Sequence, residues 1–207
     1  KIKAGFVVSF SKIISILLHP IFIPTLMFYL SLKLIPNISF AITNYLHFIC
    51  LIIILSTIIL PLLSIFFLIR NNLVSSLEMR NYNERPLPLF VTSLWMIYGY
   101  YKLSDILVLS PVLRSEFLGA IMIIIVAAAI SKYWKISLHM LGAGGAVGVL
   151  FGLNVLFGGL LQIIGVFMLL SGLLGTARLN QKAHNQAQLY TGFSLGFLIE
   201  SGFILFF

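Results

Sequence analysis

Few side chains in this sequence can do chemistry, and those that can fall into three short polar stretches. The first, SLEMRNYNERPLP (residues 76–88), carries Arg80 and Arg85; the second, KISLHMLGAGG (residues 135–145), carries Ser137 and His139. The third, ARLNQKAHNQAQLYTG (residues 177–192), carries Arg178, Lys182, His184 and Gln188. Arginine presents a fork of donors that matches phosphate oxygens. A neutral imidazole can attack phosphorus, and a second histidine, if protonated, can donate to the leaving oxygen. Donors already in place would stabilise the charge on a phosphoryl group in flight. Ser137 stands where a helix starts, so it is either part of an anion site at that helix N-terminus or a simple N-cap. His139, at a span end, also reads as an interfacial residue. Arg178 and His184 are six apart and would face differently on one helix, so they converge only if the chain turns between them. His184 and Gln188 are four apart and share a helical face, which lets Gln188 hold one ring nitrogen and leave the other free.

These residues sit in a chain built for lipid. Of its 207 residues, 60% are hydrophobic and 9% charged, where a soluble domain carries about 25% charged residues. Mean hydropathy is +1.12. A spanning helix needs about 20 apolar residues, so the length allows six or seven spans and no separate soluble domain. The apolar runs are too long and uniform for barrel strands, which predicts an all-α, polytopic transmembrane bundle. The net charge of +8 is spread over span ends rather than gathered on one face, which argues against nucleic acid and for anionic headgroups or a phosphorylated lipid. Cys50 is alone, so neither a disulfide framework nor a thiolate metal site is expected. KIKAGFVVSF lacks the flanks of a cleavage site, so no cleaved signal peptide is expected.

Seven apolar segments are legible: Phe10–Leu34, Ala41–Ile69, Leu87–Tyr101, Phe117–Ser131, Met140–Leu153, Leu156–Gly175 and Leu189–Phe207. Pro20 and Pro24 predict a break in the first, and Pro61 a bend in the second. A tight joint at Asn154 predicts an antiparallel hairpin. Gly144, Gly148 and Gly152, four apart, form a flat stripe for close helix contact. Counting spans puts the three polar stretches on one side of the membrane. His19 and His47 read as packing or interfacial residues. Glu200, an acid inside the last segment, is a functional candidate with Gln162 as a possible partner.

Taken together, the three stretches resemble the type 2 phosphatidic acid phosphatase superfamily, whose motifs are Lys-x6-Arg-Pro, Pro-Ser-Gly-His and Ser-Arg-x5-His-x3-Asp. Arg85-Pro86 matches the end of the first, Ser137 and His139 the second, and Arg178-x5-His184 the third, in the same order. The resemblance spans residues 76–200. It implies two N-terminal spans (1–75) ahead of a phosphatase-like membrane core (76–207). It implies His184 as the nucleophile forming a phosphohistidine and His139 as the acid. Arg85, Arg178 and Ser137 would hold phosphate oxygens, with Arg80 standing in for the family lysine and Gln188 supporting the nucleophile. Neither metal nor cofactor is implied, and the substrate would be a phospholipid or isoprenoid phosphate. The chain departs from the pattern at Glu78 (for lysine), Ile136 (proline), Leu138 (glycine), Ala177 (serine) and Gln188 (aspartate).

The resemblance places the site on the periplasmic face of a bacterial inner membrane. The charge count points the other way. Lys1, Lys3, Lys12, Arg70, Arg80, Arg85, Lys132, Lys135, Arg178 and Lys182 lie on the motif side, against Lys33, Lys102 and Arg114, which would make that side cytoplasmic. Two functions from different classes therefore stand: a membrane phosphatase acting on a lipid phosphate, and a catalytically degenerate subunit that binds phosphate lipid or scaffolds a complex. A transporter is a third, without the paired broken spans it would need. Nothing in the sequence names a protein partner.

Overall fold

The computed structural model describes residues 2–77, 79 and 81–206. Among the described residues the regular structure is all helix, with no strand. In chain order the helices are α1 (Ile2–Leu17), α2 (Ile23–Leu34), α3 (Pro36–Ala41), α4 (Leu46–Ile54), α5 (Leu60–Arg70), α6 (Pro86–Leu107), α7 (Pro111–Ile130), α8 (Leu138–Phe157), α9 (Leu161–Asn180) and α10 (Gln186–Phe206). Six stretches are long and apolar enough to cross a membrane: Phe10–Leu34, Thr43–Arg70, and α7 to α10. The protein is thus a multi-pass membrane protein of helical architecture. The segment read as a third span, α6, has 22 residues but carries Lys102 and Asp105 among its apolar positions and is not among the six. Large apolar side chains face outward, as lipid as solvent requires; Leu161 and Leu169 are each 72% exposed.

The prolines act where the sequence places them, each by its own device. At Pro20 the chain leaves α1, turns through a 3-10 segment (Pro20–Phe22) capped by His19 Nδ1, and re-enters α2. Ahead of Pro61 the helix widens into a π-helix over Leu55–Ile59, which absorbs the missing donor without a break. The joint between α8 and α9 is not at Asn154. Helix α8 runs on to Phe157, and the turn is made by Gly158 and Gly159 at φ of 75° and 79°. Asn154 fastens that turn, its Oδ1 accepting the Leu160 N–H at 2.9 Å.

Helix α8 is the axis of the bundle and α10 its closest neighbour. Their contact is glycine on backbone. A Cβ at Gly144 would collide with the Phe193 carbonyl, and one at Gly196 with the Leu141 carbonyl. A Cβ at Gly148 would lie 2.7 Å from Phe197 O, and one at Gly152 2.6 Å from Ile204 Cγ2. The stripe legible on α8 therefore meets a second set of glycines, Gly192 and Gly196, on α10. Small residues on both sides permit this approach, and it holds the start of α10 against the start of α8.

Candidate functional site

Each polar stretch joins two helices at one end of the bundle, and hydrogen bonds tie the three together. In the first, the Ser75 backbone N–H and hydroxyl both donate to Glu84 Oε2, at 2.9 and 2.7 Å. These two bonds hold the Glu84 carboxyl below its usual range and close the loop that delivers Arg85. Pro86 then begins α6, where its fixed φ suits a first turn. Arg85 is buried, 5% exposed. Its Nε donates to Met79 O at 3.1 Å and its Nη1 to Ile136 O at 3.0 Å. The second bond links the first stretch to the second. Burial, then the charge of Arg178, pulls the Arg85 guanidinium below its ordinary value. Arg80 and Glu78 lie outside the described residues.

In the second stretch Ser137 is fully buried and caps α8, its Oγ accepting the Met140 N–H at 3.4 Å. Its backbone N–H donates to Gln188 O, also at 3.4 Å, which links the second stretch to the third. His139 follows on the first turn of α8. Its Nε2 lies 3.1 Å from Ser15 O; a carbonyl only accepts, so this nitrogen carries the proton. The ring of His19 packs edge-on against it with centroids 5.2 Å apart.

The third stretch makes the turn that its spacing demands. Helix α9 ends at Asn180, Lys182 adopts φ of 49°, and α10 starts at Gln186. Asn185 and Gln188 form a reciprocal capping box: Gln188 N–H to Asn185 Oδ1 at 2.9 Å, and Asn185 N–H to Gln188 Oε1 at 3.2 Å. The same Oε1 faces His184 Nδ1 at 2.9 Å. An oxygen there makes Nδ1 the donor and leaves Nε2 with a free lone pair. Burial holds the His184 ring down to about 4; the Gln188 bond opposes this, and Arg178, Arg85 and Lys135 add to it. The imidazole is therefore neutral at pH 7.

Arg178 sits in the last turn of α9, where a cation complements the helix dipole. Its Nη1 donates to Gln181 Oε1 at 3.1 Å. Gln181 Nε2 in turn donates to Ser11 O at 2.7 Å and Ser15 Oγ at 2.9 Å. The charge of Arg178 acts on His184, and its hydrogen bond to Gln181 leads on to Ser15, whose carbonyl holds His139.

The structure thus brings Arg85, Ser137, His139, Arg178, His184 and Gln188 to one end of the bundle. Arg85 and Ser137 turn their polar atoms toward backbone groups, while His184 Nε2 stays open. Sequence reasoning missed Ser11, Ser15 and His19 of the first span, and also Gln181 and Lys135. The His-Pro break was visible, but a histidine that caps one turn and packs on another histidine leaves no spacing signature. The fold and this polar end, with Arg85, Lys135 and Arg178 around His184, define a multi-pass helical membrane protein with one polar, cationic end. Comparison with family models, curated proteins and solved structures gives no match to the chain.

Proposed function

We propose that this protein is an integral membrane phosphatase, a divergent relative of the type 2 phosphatidic acid phosphatases. It hydrolyses a phospholipid or isoprenoid phosphate, or a diphosphate, at the polar end of the bundle. The observation that carries this reading is His184: a neutral imidazole, fixed through Nδ1 by Gln188, with Nε2 free in the field of three cations. The Nε2 lone pair would form a bond to phosphorus as the bond from phosphorus to the leaving oxygen breaks. Water would then cleave the phosphohistidine to release phosphate and restore the ring. Arg178 and Lys135, with the N–H groups of Arg85 not held by Met79 and Ile136, would meet the phosphoryl oxygens. His139 would serve as the acid only after taking a second proton at Nδ1, so that the imidazolium gives its Nε2 proton to the leaving oxygen and returns to a neutral ring; that proton must also turn from the Ser15 carbonyl, so the first span would shift during turnover. The proposed location is a bacterial inner membrane with the site on the periplasmic face.

A second reading has its own support. Arg85 and Ser137 already serve backbone groups, and Gln188 cannot balance an imidazolium with charge. Both features suit a subunit that binds a phosphorylated lipid without turnover. Phosphate release by the purified chain in detergent, over a panel of lipid phosphates and diphosphates, separates the two. Release that His184→Ala abolishes, with an acid-labile phosphoryl adduct on His184, supports the enzyme. Saturable binding of a lipid phosphate without release supports the subunit.

A further inference from the structure

Glu116 and Glu200 take no part in the cationic end. Glu200 lies fourteen residues beyond the start of α10, about 21 Å along the axis at 1.5 Å per residue. Both acids are buried, at 1% and 2% exposure. Glu116 Oε2 accepts the Ser31 hydroxyl at 2.7 Å. Glu116 Oε1 and Glu200 Oε2 are buried without any hydrogen-bond partner. Gln162, the partner the sequence offered for Glu200, is exposed instead.

The position of Glu200 relative to Glu116 is given by Gly119 of α7. Gly119 is one turn along α7 from Glu116, on the same face. A Cβ at Gly119 would collide with Glu200 Oε2 and lie 2.8 Å from Glu200 Cδ. The glycine thus makes the place where the Glu200 carboxyl rests, one turn along α7 from Glu116. On the other side Gly148 of α8 admits the Glu200 stem, 3.1 Å from where its own Cβ would be. Among the described residues no cation is buried with the pair. The charged side chains on the helices packed around it are Lys33 of α2, Lys102 and Asp105 of α6 and Arg114 of α7, all exposed; His139 of α8 is at the opposite end. Ser31 is the polar group that reaches in.

Two bare carboxylates at this depth would each bear a heavy desolvation cost and would repel. One proton shared between them would remove a charge and would give each orphan oxygen a partner, since one carboxyl would become a donor and the other stay an acceptor. Acids that face a bundle interior within a membrane mark proton and ion sites. We propose that Glu116 and Glu200 form a proton-binding site in the membrane interior, holding an exchangeable proton between them and separate from the His184 site.

The test uses the whole chain reconstituted in lipid vesicles, with infrared spectra at pH 7 in H2O and D2O. A carboxylic-acid carbonyl band that shifts in D2O and is lost in the Glu116→Gln, Glu200→Gln double variant is expected. Dicyclohexylcarbodiimide should label the same pair. The acid proton passes to a carbodiimide nitrogen as a carboxyl oxygen bonds its central carbon, and the product rearranges to a stable acylurea. About one adduct per chain is expected, none in the double variant. Glutamine mimics a protonated acid in shape and charge, so the variant should fold; if it does not, the wild-type band and the mapped adduct decide alone. Absence of the acid band from folded protein at pH 7 overturns the proposal. So does its loss on adding sodium or magnesium, which would assign the pair to a metal cation.

Discussion

His184 Nδ1 and the backbone N–H of Asn185 converge on a single oxygen, Oε1 of Gln188, at 2.9 and 3.2 Å. Two donors on one atom fix which end of the amide is oxygen, and so fix the imidazole tautomer. Glutamine at this position is therefore a capping-box residue and an orienting residue at once. Gln188→Glu keeps the length and both acceptor contacts and adds a charge that would balance a developing imidazolium; turnover should rise. Gln188→Leu removes the acceptor, and the ring loses its tautomer. Loss of the analogous orientation in a serine protease costs about 10⁴ in rate, and a fall on the order of 10² or more is expected here. Phosphate release measured beside thermal unfolding separates this from the loss of the cap, about 1 kcal/mol. Equal rates for Leu and wild type would remove Gln188 from the mechanism.

The depressed His184 makes a definite pH prediction. Its ordinary value is 6.5 and its folded value about 4, so between these pH values the unfolded chain takes up a proton that the folded chain refuses. The stability it contributes is complete above pH 6.5 and is lost as pH falls toward 4. The nucleophile stays neutral over the same interval, so the acid limb of kcat/KM should fall near pH 4. Ring chemical shifts of labelled histidine, assigned with His184→Ala, give the titration directly. A midpoint near 6.5 would mean that the ring is solvated and the site open.

Glycine contacts between α8 and α10 set how close the second and third stretches come. Gly144→Ala and Gly196→Ala drive a methyl into the Phe193 and Leu141 carbonyls, and overpacking of this kind costs about 1–3 kcal/mol. Gly165 of α9 has nothing within 4 Å of an added Cβ, so Gly165→Ala should be neutral or slightly stabilising through helix propensity. Gly192→Ala is the informative case. Its Cβ would lie 2.8 Å from Ser137 O, so it pries the start of α10 from the start of α8. Thermal unfolding in one detergent ranks all four, and only Gly192→Ala should lose activity beyond its loss of stability.

How much of this was legible in the sequence follows from what each residue touches. Counting seven apolar segments predicts three polar stretches on one side only if α6 crosses with the rest; α6 is long enough at 22 residues though not among the six most apolar stretches, and the hydrogen bonds from Arg85 to Ile136 and from Ser137 to Gln188 join the three stretches. The Gly144 stripe predicts a close contact but not its partner; Gly192 and Gly196, also four apart, mark a matching face on α10, but spacing alone does not say which helices pair. The ends of α6 and α7 run past the apolar segments because Lys102, Asp105, Arg114 and Glu116 continue the helices without being apolar. Residue type shows that Arg85 can bind phosphate. It cannot show that two backbone carbonyls are reached first.

That use of Arg85 distinguishes it from Arg178 and can be measured. Arg85 bridges Met79 O and Ile136 O from a buried position, which takes a planar fork; a lysine ammonium on a flexible stem reaches one carbonyl and leaves the other bare. A hydrogen bond from a charged donor is worth about 1.5–3 kcal/mol, so Arg85→Lys should lower the unfolding temperature even without ligand. Arg178 is only half-buried at a helix end, and a lysine there keeps the charge that the dipole favours. Arg178→Lys should therefore unfold close to wild type yet gain less stability from added inorganic phosphate, because the fork facing the anion is gone. Arg85→Lys should show the reverse, with a lower baseline and a phosphate-dependent gain near that of wild type. If both variants keep the baseline and both lose the gain, the two arginines are equivalent phosphate ligands and the Met79–Ile136 bridge is incidental.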